Sequence, residues 1–277
     1  MTDVSGNWFG RPARLAVIGG GRMGEAIVAG MLSAGVVGRE HVVVAEPSES
    51  RRRKLKETLD LNCVESAEQA VDGATIILLA VKPQIIEQVV SEIAGKVGDA
   101  LILSIAAGIT CARLEALLPD ATPVVRVMPN APVLAGGGMS VISAGTHAID
   151  SQVELVSELF GSVGKSVVLP ESFQDVATAI SGCGPAYVAI VIDALARAGV
   201  RHGLSRDVAQ LLATQTLRGT IDLLDKTGMH PGELADVVAS PGGVTAAAIE
   251  VLESSGVRKA FADTVTAAIN RSRELNK

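Results

Sequence analysis

After a dozen residues without periodicity, the apolar pattern of the chain changes twice between Arg14 and Gly35. Leu15 to Ile18 is an unbroken apolar run, three glycines interrupt it, and Gly21 to Ala34 resumes with apolar residues at helical spacing. A run of that length reads as a strand buried on both faces, and the 3.6-residue period after it as a helix packed upon it. The alternation continues. His41 to Ala45 predicts a strand, Arg51 to Thr58 a helix, Thr75 to Ala80 a strand, Ile85 to Ala94 a helix, Leu101 to Ile105 a strand and Ala112 to Leu117 a short helix. Val124 to Val127 and Met139 to Ile142 add strands. Strands separated by helices make βαβ units, hence a mostly parallel sheet with right-handed crossovers. Beyond Pro170 the segments PAYVAIVIDALARAGV, RDVAQLLATQTLRGTIDLLDKT, ELADVVAS, VTAAAIEVLE and VRKAFADTVTAAINRSREL all carry the helical period, with Gly and Pro between them. The pattern predicts an α/β unit over 13–170 and an all-α unit over 171–277, preceded by a loose arm over 1–12.

Composition narrows the class. Of 277 residues, 48% are hydrophobic but only 2% aromatic, so the core is built from Ala, Val, Leu and Ile. The net charge is −6 and the one basic block is Arg51-Arg52-Arg53-Lys54, which argues against a nucleic-acid or anionic-membrane partner. Three scattered cysteines, Cys63, Cys111 and Cys183, form no CxxC and predict a reduced, cytoplasmic protein. The start of the chain does not read as a signal peptide, and apolar runs such as ATIILLAV are strand-sized, so no membrane span is expected.

The interrupting glycines acquire a meaning from their neighbours. Gly19, Gly21 and Gly24 fit GxGxxG, a weak signal alone in a chain with 29 glycines, but here the motif follows a strand and opens a helix. That context predicts a Rossmann-type dinucleotide site: the first glycine turns the chain, the second admits the pyrophosphate and the third lets helix approach strand. The cofactor loop is then Gly19, Gly20, Gly21, Arg22, Met23 and Gly24, with the helix N-terminus supplying amide donors. Glu46 closes the second strand 22 residues past Gly24, where an acidic side chain suits the ribose hydroxyls of NAD. Ser48, Arg51 and Arg52 follow at once and suit a 2′-phosphate, so the choice between NAD and NADP stays open, as does simple pairing of these charges on the surface.

Ligands in such sheets sit beyond the carboxyl ends of strands. The third helix-separated strand ends in Ala80-Val81-Lys82-Pro83 and the next in Ala106-Ala107-Gly108, which leave room for ribose and nicotinamide; Lys82 either donates to the cofactor or snorkels to water. Asn130, in the rigid turn Met128-Pro129-Asn130-Ala131-Pro132, either bonds the nicotinamide ribose or caps the turn. A second anion site is expected at SPGGVTAAAIEVLE. There a Pro-Gly-Gly loop enters a helix near Thr245, and the amides of Gly243, Val244 and Thr245 converge on a carboxylate; an N-cap by Thr245 is the plainer alternative. His41, His147, His202 and His230 show no metal-ligand spacing, so no metal site is expected. Ser181-Gly182-Cys183-Gly184-Pro185 has no histidine at a partner spacing and reads as a helix entry. The chemistry that remains needs hydride and little acid–base help, as reduction of a protonated C=N bond does.

Taken in order, GGGRMGEAI, AVKP, SIAAGI, RVMPNAP, SGCGPAYV, HPGEL and SPGGVT resemble the pyrroline-5-carboxylate reductase family over about Arg14 to Leu275. The resemblance implies reduction of 1-pyrroline-5-carboxylate to L-proline, the last step of proline synthesis, with NADP(H) preferred and NAD(H) possible. It implies a C-terminal helical domain that forms a homodimer, in some members assembled into a ring. By motif it places cofactor contacts on Gly19 to Gly24, Ala80 to Pro83, Ala106, Ala107 and Asn130. The substrate loop falls on Ser240 to Thr245, with Ser240, Gly242, Gly243 and Val244 around the carboxylate and Thr245 hydrogen-bonding the ring nitrogen as the catalytic candidate. KTGM before HPGEL lacks the carboxylate some relatives place there, which weakens any acidic contact from a partner. A β-hydroxyacid dehydrogenase is the alternative enzyme, but it needs a lysine on the helix Pro185 to Gly199, which has none. A non-catalytic nicotinamide sensor is the alternative outside enzymes, and it would have no use for the second anion site.

Overall fold

The computed structural model describes residues 6–275. It begins with a hairpin of β1 (Asn7–Trp8) and β2 (Arg11–Pro12). Trp8, the only tryptophan, is 1% exposed and joins the hydrophobic core. This corrects the loose arm expected over 1–12 for its second half, because burial of the large Trp8 side chain in the core favours ordering the segment that carries it. Residues 1–5 of that arm lie outside the described residues.

The apolar runs become a single sheet. β3 (Leu15–Ile18), β4 (Val42–Ala45), β5 (Asn62–Val64), β6 (Ile76–Leu79), β7 (Leu101–Ser104), β8 (Val124–Met128), β9 (Gly138–Ala144) and β10 (Gly164–Val168) lie in the order 10-9-8-7-6-3-4-5. Every neighbouring pair is parallel except β8 with β9. Interleaved with them are α1 (Arg22–Ser33), α2 (Glu49–Leu59), α3 (Ala67–Val71), α4 (Ile86–Ile93), α5 (Cys111–Glu115) and α6 (Asp150–Gly161). Strand side chains alternate between two cores. Leu15, Val17, Ile76, Leu78, Leu101 and Leu103 belong to one, and Ala16, Ile18, Ile77, Leu79 and Ile102 to the other. Both faces are covered, which is why these strands read as continuous apolar runs.

The chain leaves β3 toward β4 and β5, then returns to place β6 on the other side of β3. That reversal of strand order opens a crevice at the carboxyl ends of β3 and β6.

The remaining helices are α7 (Gln174–Ala177), α8 (Gly184–Arg201), α9 (Arg206–Thr227), α10 (Pro231–Val238), α11 (Val244–Ser254) and α12 (Val257–Leu275). Contacts divide the chain between Gly182 and Cys183, with the last turns of α12, from Ile269, returning to the first unit. In the second unit the buried apolar residues are Ala196, Ala209, Ala213 and Leu234 alone among the described residues. Ile190, Leu211 and Val251 are 68%, 66% and 63% exposed.

Glu171–Arg201 is long and apolar enough, by length and composition, to cross a membrane. This corrects the expectation of strand-sized runs only. Its glycines suggest a break, but the π-helical turn Thr178–Gly182 bridges α7 to α8 without one.

Candidate functional site

At the crevice the first glycine of the motif, Gly19, has φ +108°, and a Cβ there would lie 2.7 Å from the Ala80 carbonyl oxygen. Only glycine meets both demands. Gly24, in the first turn of α1, lies so close to the preceding turn that a Cβ would stand 2.5 Å from the Gly19 carbonyl oxygen. Gly21 differs: its backbone is extended, and a Cβ would have nothing within 4 Å. Gly21 is also the N-cap of α1, and no side chain caps the helix. Orphan amides therefore face open space beside a bare glycine, and this is what an incoming pyrophosphate requires. The residues present thus fit a dinucleotide.

The flanking charges organise this loop. Glu46, just past β4, accepts the Gly20 N–H through Oε2 at 3.0 Å and the Ser48 N–H through Oε1 at 2.9 Å. Arg51 donates through Nε to the Gly20 carbonyl at 3.1 Å and pairs with Glu25 at 2.9 Å, and Lys54 reaches Glu25 at 3.0 Å. Partial burial pushes the Glu25 carboxyl up, but hydrogen bonds and charge from Lys54 and Arg51 outweigh it and hold the group below its ordinary value. Arg52 donates to the Glu46 and Pro47 carbonyls at 2.8 and 2.6 Å. The Ser48 hydroxyl lies 3.0 Å from that of Ser50. Both arginines are thus engaged with backbone carbonyls of the loop. The sequence offers the arginines a phosphate or surface pairing with Glu46; the structure adds Glu25, on the first turn of α1, where an acidic residue at a helix start is a legible signal.

Beyond the strand ends, Ala80 receives its position from an N–H bond to the Ile18 carbonyl at 2.8 Å, which seals β6 to β3 at the crevice floor. Val81 and Pro83 are half-buried there and Lys82 is exposed. Past β7, Ala106 is buried and donates to the Ser104 hydroxyl at 3.3 Å, while Ala107 is exposed. Asn130 is 8% exposed: its Nδ2 donates to the Ser181 carbonyl at 2.9 Å and its Oδ1 accepts the Met139 N–H at 2.8 Å. Of the two roles left open for Asn130, holding the turn is the one its bonds serve. Ser181 donates its hydroxyl to the Ala177 carbonyl at 2.9 Å, so it is spent on the backbone.

In the second unit, Ser240-Pro241-Gly242-Gly243 is a type II turn, with Gly242 at φ +70° and the Gly243 N–H bonded to the Ser240 carbonyl at 2.9 Å. Gly243 is the N-cap of α11, with no side-chain cap, and a Cβ on it would collide with the Ser240 hydroxyl. Two details of the sequence reading change. The Gly243 amide is consumed by the turn, so the orphan donors are those of Val244, Thr245 and Ala246, ahead of the Ala247 N–H bond to the Gly243 carbonyl at 3.2 Å. Thr245 stands inside the first turn, one residue after Val244, and so is not the cap. Other helical threonines, Thr58, Thr220, Thr227, Thr264 and Thr266, donate to the carbonyl four residues back. The Thr245 hydroxyl has no hydrogen-bond partner among the described residues.

His230 caps α10, its Nδ1 accepting the Gly232 N–H at 3.1 Å, with Pro231 at the helix start. Arg126 on β8, 3% exposed, donates to Glu171 at 3.2 Å, and the same carboxylate accepts the Cys111 N–H at 2.9 Å. Burial, then the Glu171 charge, pushes the Cys111 thiol up to about 12, which leaves it inert. No cluster of three metal-binding side chains occurs among the described residues.

Comparison with known proteins agrees with this geometry. Residues 171–275 match the family model described as pyrroline-5-carboxylate reductase dimerisation, and residues 14–108 the one described as NADP oxidoreductase, coenzyme F420-dependent. The chain is 40% identical to the pyrroline-5-carboxylate reductase of Synechocystis sp. over 95% of its length and 98% of that protein's. It is 38% identical to that of Arabidopsis thaliana over 95% of its length and 96% of that protein's. Among solved structures, a pyrroline-5-carboxylate reductase from Coxiella burnetii superimposes with TM-score 0.91 at 32% identity, covering 96% of this chain and 99% of that one. The Plasmodium falciparum pyrroline carboxylate reductase with NADP bound does so with TM-score 0.87 at 32% identity, covering 96% and 98%.

Proposed function

Because the chain belongs to the pyrroline-5-carboxylate reductase family, it is an NAD(P)H-dependent oxidoreductase acting on the C=N bond of 1-pyrroline-5-carboxylate in proline biosynthesis, and we propose which of its residues carry that reduction. The observation that carries the assignment is a pair of uncapped, glycine-led helix starts, one in each unit.

The first holds the dinucleotide. Amides at the start of α1 face its pyrophosphate beside Gly21, and Ala80 to Pro83 with Ala106 and Ala107 form the small-residue wall along its nicotinamide half. When bound, the reduced nicotinamide supplies hydride. Arg51 fixes the glycine loop, Asn130 positions the turn near it, and Ser48 with the remaining N–H groups of Arg52 receive a 2′-phosphate. Glu46 keeps the ribose side open to NADH as well, since its carboxylate already lies against the loop.

The second start takes the substrate. The amides of Val244, Thr245 and Ala246 bind the carboxylate, and Ser240 and Gly243 shape the turn that exposes them. The free Thr245 hydroxyl then meets the ring nitrogen, a bond or two away from that carboxylate, and favours the product amine over the imine. No strong acid is required, because a protonated imine is electrophilic already and hydride arrives at its carbon.

The protein is a homo-oligomer. A dimer through α8, α9 and α11, extended in a ring of dimers, is the assembly that covers their exposed apolar side chains, and it accounts for the apolar stretch Glu171–Arg201 without a membrane. Three unpaired cysteines support a cytoplasmic location. Purified protein should oxidise NADPH only when 1-pyrroline-5-carboxylate is added, with L-proline formed in equal amount. Absence of imine-dependent oxidation with either cofactor would sink the reading.

A further inference from the structure

The sheet has a second opening, at the amino ends of its strands and therefore opposite the cofactor crevice. A cavity of about 450 Å³ is bounded there by Arg11 of β2 and by Arg14, Glu40, His41, Asn62 and Thr75, which lie just before or at the starts of β3, β4, β5 and β6. Its distinctive member is Arg14. The Nε of this guanidinium is cut off from solvent and has no hydrogen-bond partner, and no carboxylate pairs with the group among the described residues. The terminal nitrogens also make no hydrogen bond among the described residues but are not sealed off as Nε is, and in this half-buried residue they are the donors that an incoming acceptor can reach.

The other groups indicate what that is. Arg11 adds a second guanidinium, tied only to Asp99 at 3.8 Å with the aspartate side chain 96% exposed. Glu40 is 73% exposed at the side chain and lies 3.5 Å from His41, so it stands at the rim and does not neutralise Arg14. The Thr75 hydroxyl is bonded to the Pro12 carbonyl at 2.8 Å, and the Asn62 amide remains as a further polar group. The lining therefore carries a net positive charge before any contribution from His41.

We propose that this cavity is a binding site for a small oxyanion, a carboxylate or phosphate monoester, held by the Arg14 guanidinium with Arg11 at the mouth. The planar fork of arginine matches two oxygens of either group. The site is separate from both helix starts assigned to the reaction.

Full-length protein saturated with NADP+, so that the glycine loop is filled, is treated with an arginine-directed dicarbonyl at constant ionic strength. Peptide mass spectrometry reads the labelling of Arg14, and inorganic phosphate and succinate are titrated separately. Either anion should protect Arg14 with a midpoint on the order of 1 mM, the scale of a weak but specific contact. Protection by phosphate alone assigns a phosphate ligand, and protection by succinate a carboxylate. Isothermal titration into Arg14→Gln should show that binding weakened about tenfold or more, with imine reduction unchanged, and Arg11→Gln, an exposed position, should weaken it less. Labelling of Arg14 indifferent to both anions, or the same anion affinity in Arg14→Gln and the native chain, would overturn the site.

Discussion

The α/β unit and the helical unit bury their apolar residues differently. In the first, strands β3, β4, β6 and β7 are buried at every position and feed two extensive cores on opposite faces of one sheet. In the second, three alanines and Leu234 are the buried apolar residues among those described, while Ile190, Leu211 and Val251 face outward. One unit buries its own apolar surface; the other, in a chain whose family model is one of dimerisation, leaves much of its apolar surface exposed. The difference divides the labour as well. The glycine loop rises from the self-contained sheet, whereas the loop proposed for the substrate stands on helices with few buried apolar residues of their own.

Breaking that surface should produce the largest effect. Placing aspartate at both Ile190 and Leu211 should leave a monomer in sedimentation velocity and lower kcat/KM by about 1000-fold, roughly 4 kcal/mol of lost transition-state stabilisation. NADPH affinity should hardly change. An unaltered oligomer with native activity would remove the distinction between the units.

Within the α/β unit, two glycines sharpen it. Gly24→Ala sets a Cβ against the Gly19 carbonyl, so it should weaken NADPH binding about tenfold or more and destabilise the fold by about 1–3 kcal/mol. Gly21→Ala meets nothing in the protein, so calorimetry should find the melting temperature of the cofactor-free form unchanged while affinity falls. Equal stability losses for the two would mean that Gly21 is structural and not a phosphate seat.

The smallest effect concerns Glu25. Its folded-state pKa lies below the ordinary 4.5, so its contribution to stability is complete above that value and disappears as the pH falls through the lower folded value. Glu25→Gln should therefore flatten the acid limb of the stability curve, read by denaturant melts across that range, and loosen Arg51 from the glycine loop. An acid limb identical to the native one would show that the pair contributes nothing.

The same contrast explains how much was legible in the sequence. Strands buried on both faces announce themselves, and β3, β4, β6, β7 and β8 fall within a residue or two of where the pattern puts them. β5 and β10 form the sheet's edges, are only partly buried, and show no apolar run to read. α6 was missed too, and the hairpin holding Trp8 depends on contacts distant in sequence. At the site, Gly19 and Gly24 were readable because each marks a backbone demand, and Gly21 because its missing side chain leaves the helix start open. The spending of Arg51, Arg52 and Asn130 on backbone groups was not, since it depends on distances that spacing does not encode. The type II turn at Pro241-Gly242 was written in its residues, but which amides it leaves free required the Gly243 to Ser240 bond.

Thr245, in the first turn of α11, keeps a hydroxyl with no hydrogen-bond partner among the described residues and is the proposed contact to the substrate nitrogen. Its direct test is Thr245→Ala, with kcat, the NADPH dissociation constant and the melting temperature measured on one preparation. A hydrogen bond that strengthens in the transition state is worth about 2–4 kcal/mol, so kcat should fall roughly 30-fold to 1000-fold while cofactor affinity and melting temperature hold. A native kcat, whether or not the melting temperature drops, would contradict the assignment and take the substrate loop from Ser240 to Thr245 with it.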